Sequence, residues 1–173
     1  YALKGWVKFA SDDKAARALI KFNYFHNGKW LGATDLVGAA GDQSDWLLLE
    51  KTDAADSIPE ATVFVPTCHV EGSGSAWFDD LEVIAYDRDK LPANFDAKHG
   101  KDNPPSAPAV PENVPAKVGA NLILDPSFEN TALTLLPRDW RAWTNEDSDF
   151  RCEVVNGGHT GQRSLRISGK GIR

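Results

Sequence analysis

The chain lacks methionine, has only two cysteines and contains no long apolar run. Two cysteines in 173 residues, Cys68 and Cys152, exclude a disulfide-rich scaffold. The longest apolar cluster, Trp46 to Leu49, has the length of a strand, so we expect no membrane span, which takes about 18 apolar residues. With no methionine at Tyr1, inside a strand-like pattern, we expect a fragment whose targeting signal lies upstream.

Basic residues are also scarce. The sequence has 19 Lys and Arg against 25 Asp and Glu, a formal net charge of −6. Because no basic stripe is present to neutralise phosphates, we expect no nucleic-acid partner. Apolar residues make up 42% of the chain, including 6 Trp and 8 Phe, which is enough for a packed core.

Motifs of catalysis and nucleotide binding are missing as well. The sequence has no G-x-S-x-G, H-E-x-x-H, P-loop or dinucleotide-binding motif. Asp79 and Asp80 are adjacent, and adjacent side chains on a strand point to opposite faces, so they are not expected to form an acid/base pair. This segment is therefore predicted to have no enzymatic activity.

Residues 1–91 show the period-two alternation of strands. Asn27-Gly28 predicts a tight hairpin turn, with Trp30 in the loop behind it, and Gly72-Ser73-Gly74 predicts a second turn. The predicted strands are Tyr1 to Phe9, Ala18 to His26, Trp46 to Lys51, Thr62 to Val70 and Ala76 to Tyr86.

Residues 92–117 hold six of the ten prolines and have no apolar periodicity, which predicts a semi-extended linker. Strand-like patterning returns over residues 118–173. The strand candidates there are Leu122 to Leu124, Arg151 to Val155 and Ser164 to Ile167.

Five motifs stand out in the sequence: Asn121 to Glu129 (NLILDPSFE), Trp140 and Trp143 with His159 to Leu165 (HTGQRSL), Tyr1 to Lys8 (YALKGWVK), Trp46 to Leu49 (WLLL), and Ala76 to Val83 (AWFDDLEV). Together they resemble the family 4, 9, 16 and 22 carbohydrate-binding modules, which have a galactose-binding-like jelly roll. The resemblance covers most of the chain outside the linker and implies an all-β fold, a jelly-roll β-sandwich of antiparallel strands. It also places Trp46, Trp77 and Trp140 in the core.

The order of these motifs implies a break across two tandem modules. Residues 1–91 look like the C-terminal part of one module, and residues 118–173 look like the N-terminal part of the next. Each part alone would leave open strand edges, so we expect the two halves to complement each other, within the chain or between neighbouring chains. Cys68 and Cys152 are then either two free thiols or a disulfide joining the halves.

A carbohydrate-binding module implies aromatic platforms and planar polar side chains that contact sugar. The candidate ligand-binding residues are Trp6, Trp30, Lys21, Asn23, Phe25 and Trp143. Modules of this kind commonly carry a structural calcium, and the matching carboxylates here are Glu129, Asp79 and Asp80.

The resemblance thus predicts a non-catalytic segment that binds a polysaccharide or oligosaccharide. Its parent would be a secreted or cell-surface multimodular protein, typically a glycoside hydrolase. The alternative is a structural β-sandwich, a spacer or repeat unit of an extracellular assembly.

Overall fold

A computed structural model describes residues 1–52, 58, 60–85, 120–143 and 149–172. These residues form seven antiparallel strands and no helix, so no helix in them could cross a membrane. The strands are β1 (Ala2–Ala10), β2 (Arg17–His26), β3 (Lys29–Ala40), β4 (Gln43–Thr52), β5 (Val63–Ile84), β6 (Arg151–Asn156) and β7 (Arg163–Ile172). The linker predicted over residues 92–117 lies outside the described residues.

The strands form one curled sheet with two layers that share β5, an arrangement consistent with a β-sandwich. The five-strand layer has the order β4-β1-β5-β7-β6, and the three-strand layer has the order β3-β2-β5. The all-β antiparallel prediction is confirmed.

The long strand β5 joins the layers. Its first part pairs with β2 up to Glu71, and its second part pairs with β1 and β7. The predicted turn at residues 72–74 is wrong, because Gly72 (φ +85°) and Gly74 (φ +149°) bend the strand without reversing it. A Cβ on Gly74 would lie 2.7 Å from the Ala10 carbonyl oxygen, so the bend packs directly on the end of β1.

The hairpin at Asn27-Gly28 is confirmed. Both residues have positive φ (49° and 77°), and His26 pairs with Lys29 directly across the turn. The loop predicted at Trp30 is wrong, because β3 begins at once and Trp30 pairs with Phe25.

One hydrophobic core contains side chains from both ends of the chain. Phe9 and Phe78 are fully buried in it, together with Phe128, Val154 and Leu165 from the C-terminal end. Residues on both sides of the expected linker therefore share one core within a single chain.

Residues 120–143 cross the end of this core without forming a strand, so the strand predicted at residues 122–124 is wrong. The Asn121 side chain bonds to the backbone of β5: its Oδ1 accepts from the Val83 N–H (3.0 Å), and its Nδ2 donates to the Leu81 carbonyl (2.8 Å). Leu122 N–H donates to the Val83 carbonyl at 2.8 Å. These bonds satisfy part of the β5 edge without a regular ladder.

Cys68 on β5 and Cys152 on β6 are half-buried free thiols, so the disulfide alternative is wrong for this structure. Burial raises the pKa of Cys152 to about 12 and also raises the pKa of Cys68. Both side chains are therefore thiols, not thiolates, at neutral pH, and they pack against the core as small hydrophobic groups.

Candidate functional site

A row of large and charged side chains crosses the outer face of the five-strand layer. Lys8 of β1 lies opposite Trp77 of β5, Trp77 lies opposite Arg166 of β7, and Arg166 lies opposite Glu153 of β6. Trp46 of β4 extends the row, because the Lys8 Nζ is 5.2 Å from the Trp46 ring centroid and 4.8 Å from that of Trp77. We call these five residues the tryptophan row.

Trp6 continues this aromatic surface. The Trp6 ring stacks on the His159 ring with centroids 3.8 Å apart and planes at 16°, and Trp46 meets the same imidazole edge-on at 5.8 Å. The Trp46 contact is within the usual range of favourable aromatic pairs, and the Trp6 stack is closer than that range. Trp6, Trp46 and Trp77 are all half-buried, so part of each ring faces solvent.

An open hollow of about 960 Å³ adjoins the row. Its floor is formed by Ala10, Ser75, Ser168 and Arg151, which lie side by side across four strands. On each strand this residue is the next one after the tryptophan row that faces outwards. These side chains, apart from Arg151, are small, which makes the surface concave. Polar side chains form the rim: Asp12, Asp13, Asp42, Asp149, Arg166 and Lys170.

Most charges around the row are paired. Lys4 binds Glu82 at 3.3 Å, and Arg166 binds Glu153. His159 Nδ1 lies 3.0 Å from an Asp80 carboxylate oxygen. Within the described ranges, Lys8 has no carboxylate partner, and its ammonium group lies over the two indole rings.

Asp79 and Asp80 hold the loop of residues 157–162, which we call the His159 loop. Asp79 Oδ2 accepts from the His159 N–H (2.6 Å) and the Thr160 N–H (3.2 Å), and Asp80 Oδ1 accepts from the Thr160 hydroxyl (2.7 Å). The expectation that the two carboxylates point to opposite faces is wrong. A β-bulge opposite residues 4–6 of β1 and a φ of +47° at Asp80 break the alternation.

Asp79 is fully buried, and burial raises the pKa of its carboxyl from 3.8 to about 6. The N–H groups of Asp80, His159 and Thr160 act in the opposite direction by donating to the carboxylate, and the Asp80 charge adds to the increase. Asp79 is therefore ionised at neutral pH and is anchored by three backbone donors.

Glu129 binds the other side of the His159 loop. Its Oε1 accepts from the Gln162 N–H (2.8 Å) and the Arg163 N–H (2.7 Å). Gly161 has φ +71°, and a Cβ there would lie 2.6 Å from the same oxygen. The three predicted calcium ligands, Asp79, Asp80 and Glu129, thus lie around one loop, brought together from two separate parts of the sequence.

Calcium needs six to eight oxygen ligands, and carboxylate oxygens of Asp79 and Glu129 are already used as hydrogen-bond acceptors. Asp79 and Glu129 each accept hydrogen bonds from two backbone N–H groups of this part of the chain. Over the part of the chain that the structure describes, no group of three or more His, Cys, Asp or Glu side chains could hold a metal ion. The carboxylates act here as hydrogen-bond acceptors that fix the loop.

Four of the predicted ligand-binding residues come together elsewhere, on the outer face of the three-strand layer. Lys21, Asn23 and Phe25 alternate with buried residues of β2, and Trp30 is paired with Phe25. Trp30 is 57% exposed, and its indole N–H donates to Asn23 Oδ1 at 3.1 Å. Asn23 Nδ2 in turn donates to the Thr67 hydroxyl at 2.8 Å. This patch therefore has one largely exposed ring, that of Trp30, and the N–H of this ring already donates a hydrogen bond within the patch.

Trp143 lies in a third place, a groove of about 450 Å³ beside the edge of β5. It is 75% exposed, and Trp140 also lines the groove while packing edge-on against Phe128. The six predicted ligand-binding residues are therefore divided among three surfaces, and only Trp6 lies beside the tryptophan row.

The expectation that Trp46 and Trp77 are core residues is wrong, because both lie half-exposed on the outer face. Trp77 stands between Ala76 and Phe78, which are fully buried, so alternation alone places it outside. Lys8 and Arg166 were missed because their place beside Trp77 depends on strand register.

Comparisons with protein-family models, with curated proteins and with solved structures find no match for this chain. The functional interpretation rests on the geometry of the tryptophan row and its hollow.

Proposed function

We propose that this chain is a non-catalytic carbohydrate-binding segment that holds a polysaccharide across the outer face of its five-strand layer. The tryptophan row carries this proposal: half-exposed indole rings lie beside an open, polar hollow. Sugars present apolar C–H faces, which pack on indole rings, and hydroxyl groups, which pair with charged and polar rims. Exposure of the aromatic side chains supports binding over a purely structural spacer.

The remaining parts of the proposal follow from the resemblance to carbohydrate-binding modules. The curled sheet would be a jelly roll, and residues 1–91 and 118–173 would be complementary halves of two tandem modules that pair within one chain. The parent would be a secreted or cell-surface protein, typically with a glycoside hydrolase domain. The shared core and the pairing of β5 with β7 support complementation within the chain.

Removing the central ring of the row tests where the glycan binds. The Trp77→Ala variant is expected to weaken binding to a responsive polysaccharide by at least about tenfold, because a stacking contact worth about 1.4 kcal/mol or more is lost. Isothermal calorimetry and affinity electrophoresis against a glycan panel measure this. Trp30→Ala and Trp143→Ala serve as matched controls on the other two surfaces and should bind like the wild type.

Two results would contradict the proposal. If only Trp30→Ala or Trp143→Ala loses binding, the site lies on that surface and not on the row. If the wild-type chain binds no glycan in the panel, carbohydrate binding itself is wrong, and the structural alternative takes its place.

The calcium prediction has its own test. Because Asp79 and Glu129 oxygens already accept N–H groups, we expect the unfolding temperature to change by less than about 1 °C between millimolar calcium and excess EDTA. Differential scanning calorimetry measures this, with magnesium as the control cation. A calcium-specific rise of several degrees would show that the His159 loop rearranges to present carbonyl oxygens, and would support a structural calcium.

A further inference from the structure

The charge at Lys8 narrows the class of sugar that this surface would bind, provided that the proposed carbohydrate function holds. Its neighbours Lys4, Arg166 and His159 each have a carboxylate partner. Lys8 has none among the residues that the structure describes, and its ammonium group lies between two indole rings. The tryptophan row therefore carries one uncompensated positive charge at its centre.

A neutral sugar over these rings would displace water from the ammonium group without supplying a counter-charge. Desolvating a charge without a partner is unfavourable, whereas a carboxylate forms a short, charge-assisted hydrogen bond. A second donor points to the same requirement, because the Arg166 Nε beside Trp77 is buried and has no hydrogen-bond partner. Both donors next to Trp77 favour a ligand that is rich in acceptors at this position.

The hollow sets a limit on how many acidic groups the ligand carries. In the described structure the lining of the hollow has two cations without a carboxylate partner, Arg151 and Lys170, against four aspartates, Asp12, Asp13, Asp42 and Asp149, so negative charge is in excess there, and the chain as a whole has a net charge of −6. Carboxylates on neighbouring sugar residues would face these aspartates and be repelled. Neutral sugar residues fit the hollow, since Asp side chains accept hydrogen bonds from hydroxyl groups.

We infer that the tryptophan row and its hollow select a largely neutral polysaccharide that carries isolated uronic acid residues. One uronate stacks on Trp77 or Trp46 with its carboxylate on the Lys8 ammonium, and neutral residues continue into the hollow. Recognition is non-covalent, and the protein supplies the rings, the ammonium and the polar rim.

Calorimetry with matched oligosaccharides tests this inference on the whole chain. The probes are glucuronoxylan oligosaccharides, the same oligosaccharides after carboxyl reduction to neutral sugars, and an oligogalacturonate with a carboxylate on every residue. The first is expected to bind about tenfold or more tightly than either of the others, since one desolvated charge pair is gained and no repulsion is added.

The Lys8→Gln variant should bind the acidic and carboxyl-reduced forms with equal affinity. Lys29→Gln, at an exposed position on β3, changes the net charge by the same amount and should keep the preference. Circular dichroism and the unfolding temperature check that both variants are folded.

The outcomes separate the two levels of the proposal. Equal binding of the acidic and reduced forms by the wild type, or tightest binding of oligogalacturonate, overturns the uronate inference and leaves carbohydrate binding intact. Loss of the acidic preference in Lys29→Gln as well would also overturn it. Absence of binding to every probe and to the wider panel overturns both.

Discussion

Replacing Phe128 by alanine is expected to lower the free energy of unfolding by about 3–5 kcal/mol, because a fully buried aromatic side chain leaves a cavity in a packed core. Phe128 lies in the strand-free segment after the predicted linker, yet it packs in one core with residues of β1 and β5. It also contacts Trp140 edge-on at 5.5 Å. The variant therefore measures how strongly the C-terminal part of the chain stabilises the whole fold.

Urea unfolding followed by tryptophan fluorescence and circular dichroism measures the effect. Leu135→Ala, at a residue 58% exposed in the same segment, is the matched control and should change stability by less than about 0.5 kcal/mol. Phe128→Leu, a milder change, keeps the test quantitative if the alanine variant does not fold. Equal effects of Phe128→Ala and Leu135→Ala would contradict the shared core.

The same core predicts how unfolding depends on protein concentration. Since β5 pairs with β7 of the same chain, the wild-type unfolding temperature should stay constant over about a hundredfold range of concentration. A rise with concentration would instead indicate that the C-terminal strands are exchanged between neighbouring chains.

The Asp79→Asn variant is expected to be less stable than the wild type by about 2–3 kcal/mol at pH 7. The Asp79 carboxylate accepts N–H donors on both of its oxygens, from Asp80 on Oδ1 and from His159 and Thr160 on Oδ2. An amide turns one of these oxygens into an NH₂ group, so a buried donor then faces another donor. The His159 loop should open with it, which removes the Trp6–His159 stack.

This stability gap should depend on pH. Burial raises the pKa of Asp79 to about 6 in the folded chain, above its ordinary value of 3.8, so folding takes up a proton between these values. The contribution of Asp79 to stability is thus greatest below about pH 4 and decreases as the pH rises towards 6. Asparagine does not titrate, so the stability gap between wild type and variant should widen as the pH falls from 7 to 4.

Urea unfolding at several pH values measures both effects, and the exposed Asp45→Asn variant, on β4, controls for loss of a carboxylate. A gap that narrows at low pH would show that the three N–H donors outweigh burial and hold the pKa of Asp79 below its ordinary value.

The sequence alone determined the class of the fold. Period-two alternation predicted β1, β2 and β6 close to their observed bounds, whereas β7 extends well beyond its predicted end at Ile167. Asn27-Gly28 predicted the hairpin because both residues tolerate positive φ. These features depend on the residues themselves and on their nearest neighbours. The expectations of no nucleic-acid partner and no membrane span likewise came from the sequence alone, from the small number of basic residues and the lack of a long apolar run.

Only the tertiary structure determined which residues form the candidate site. Lys8, Trp77 and Arg166 are far apart in sequence and form one row because three strands pair in a particular register. Register is set by long-range core packing, and a shift of one residue would turn each of these side chains inwards. Two local features show the same limit. At Gly72 the chain bends where a reversal was predicted, and at Asp80 a β-bulge brings the Asp79 and Asp80 carboxylates to one loop where opposite faces were predicted. Both outcomes depend on contacts with residues distant in the sequence.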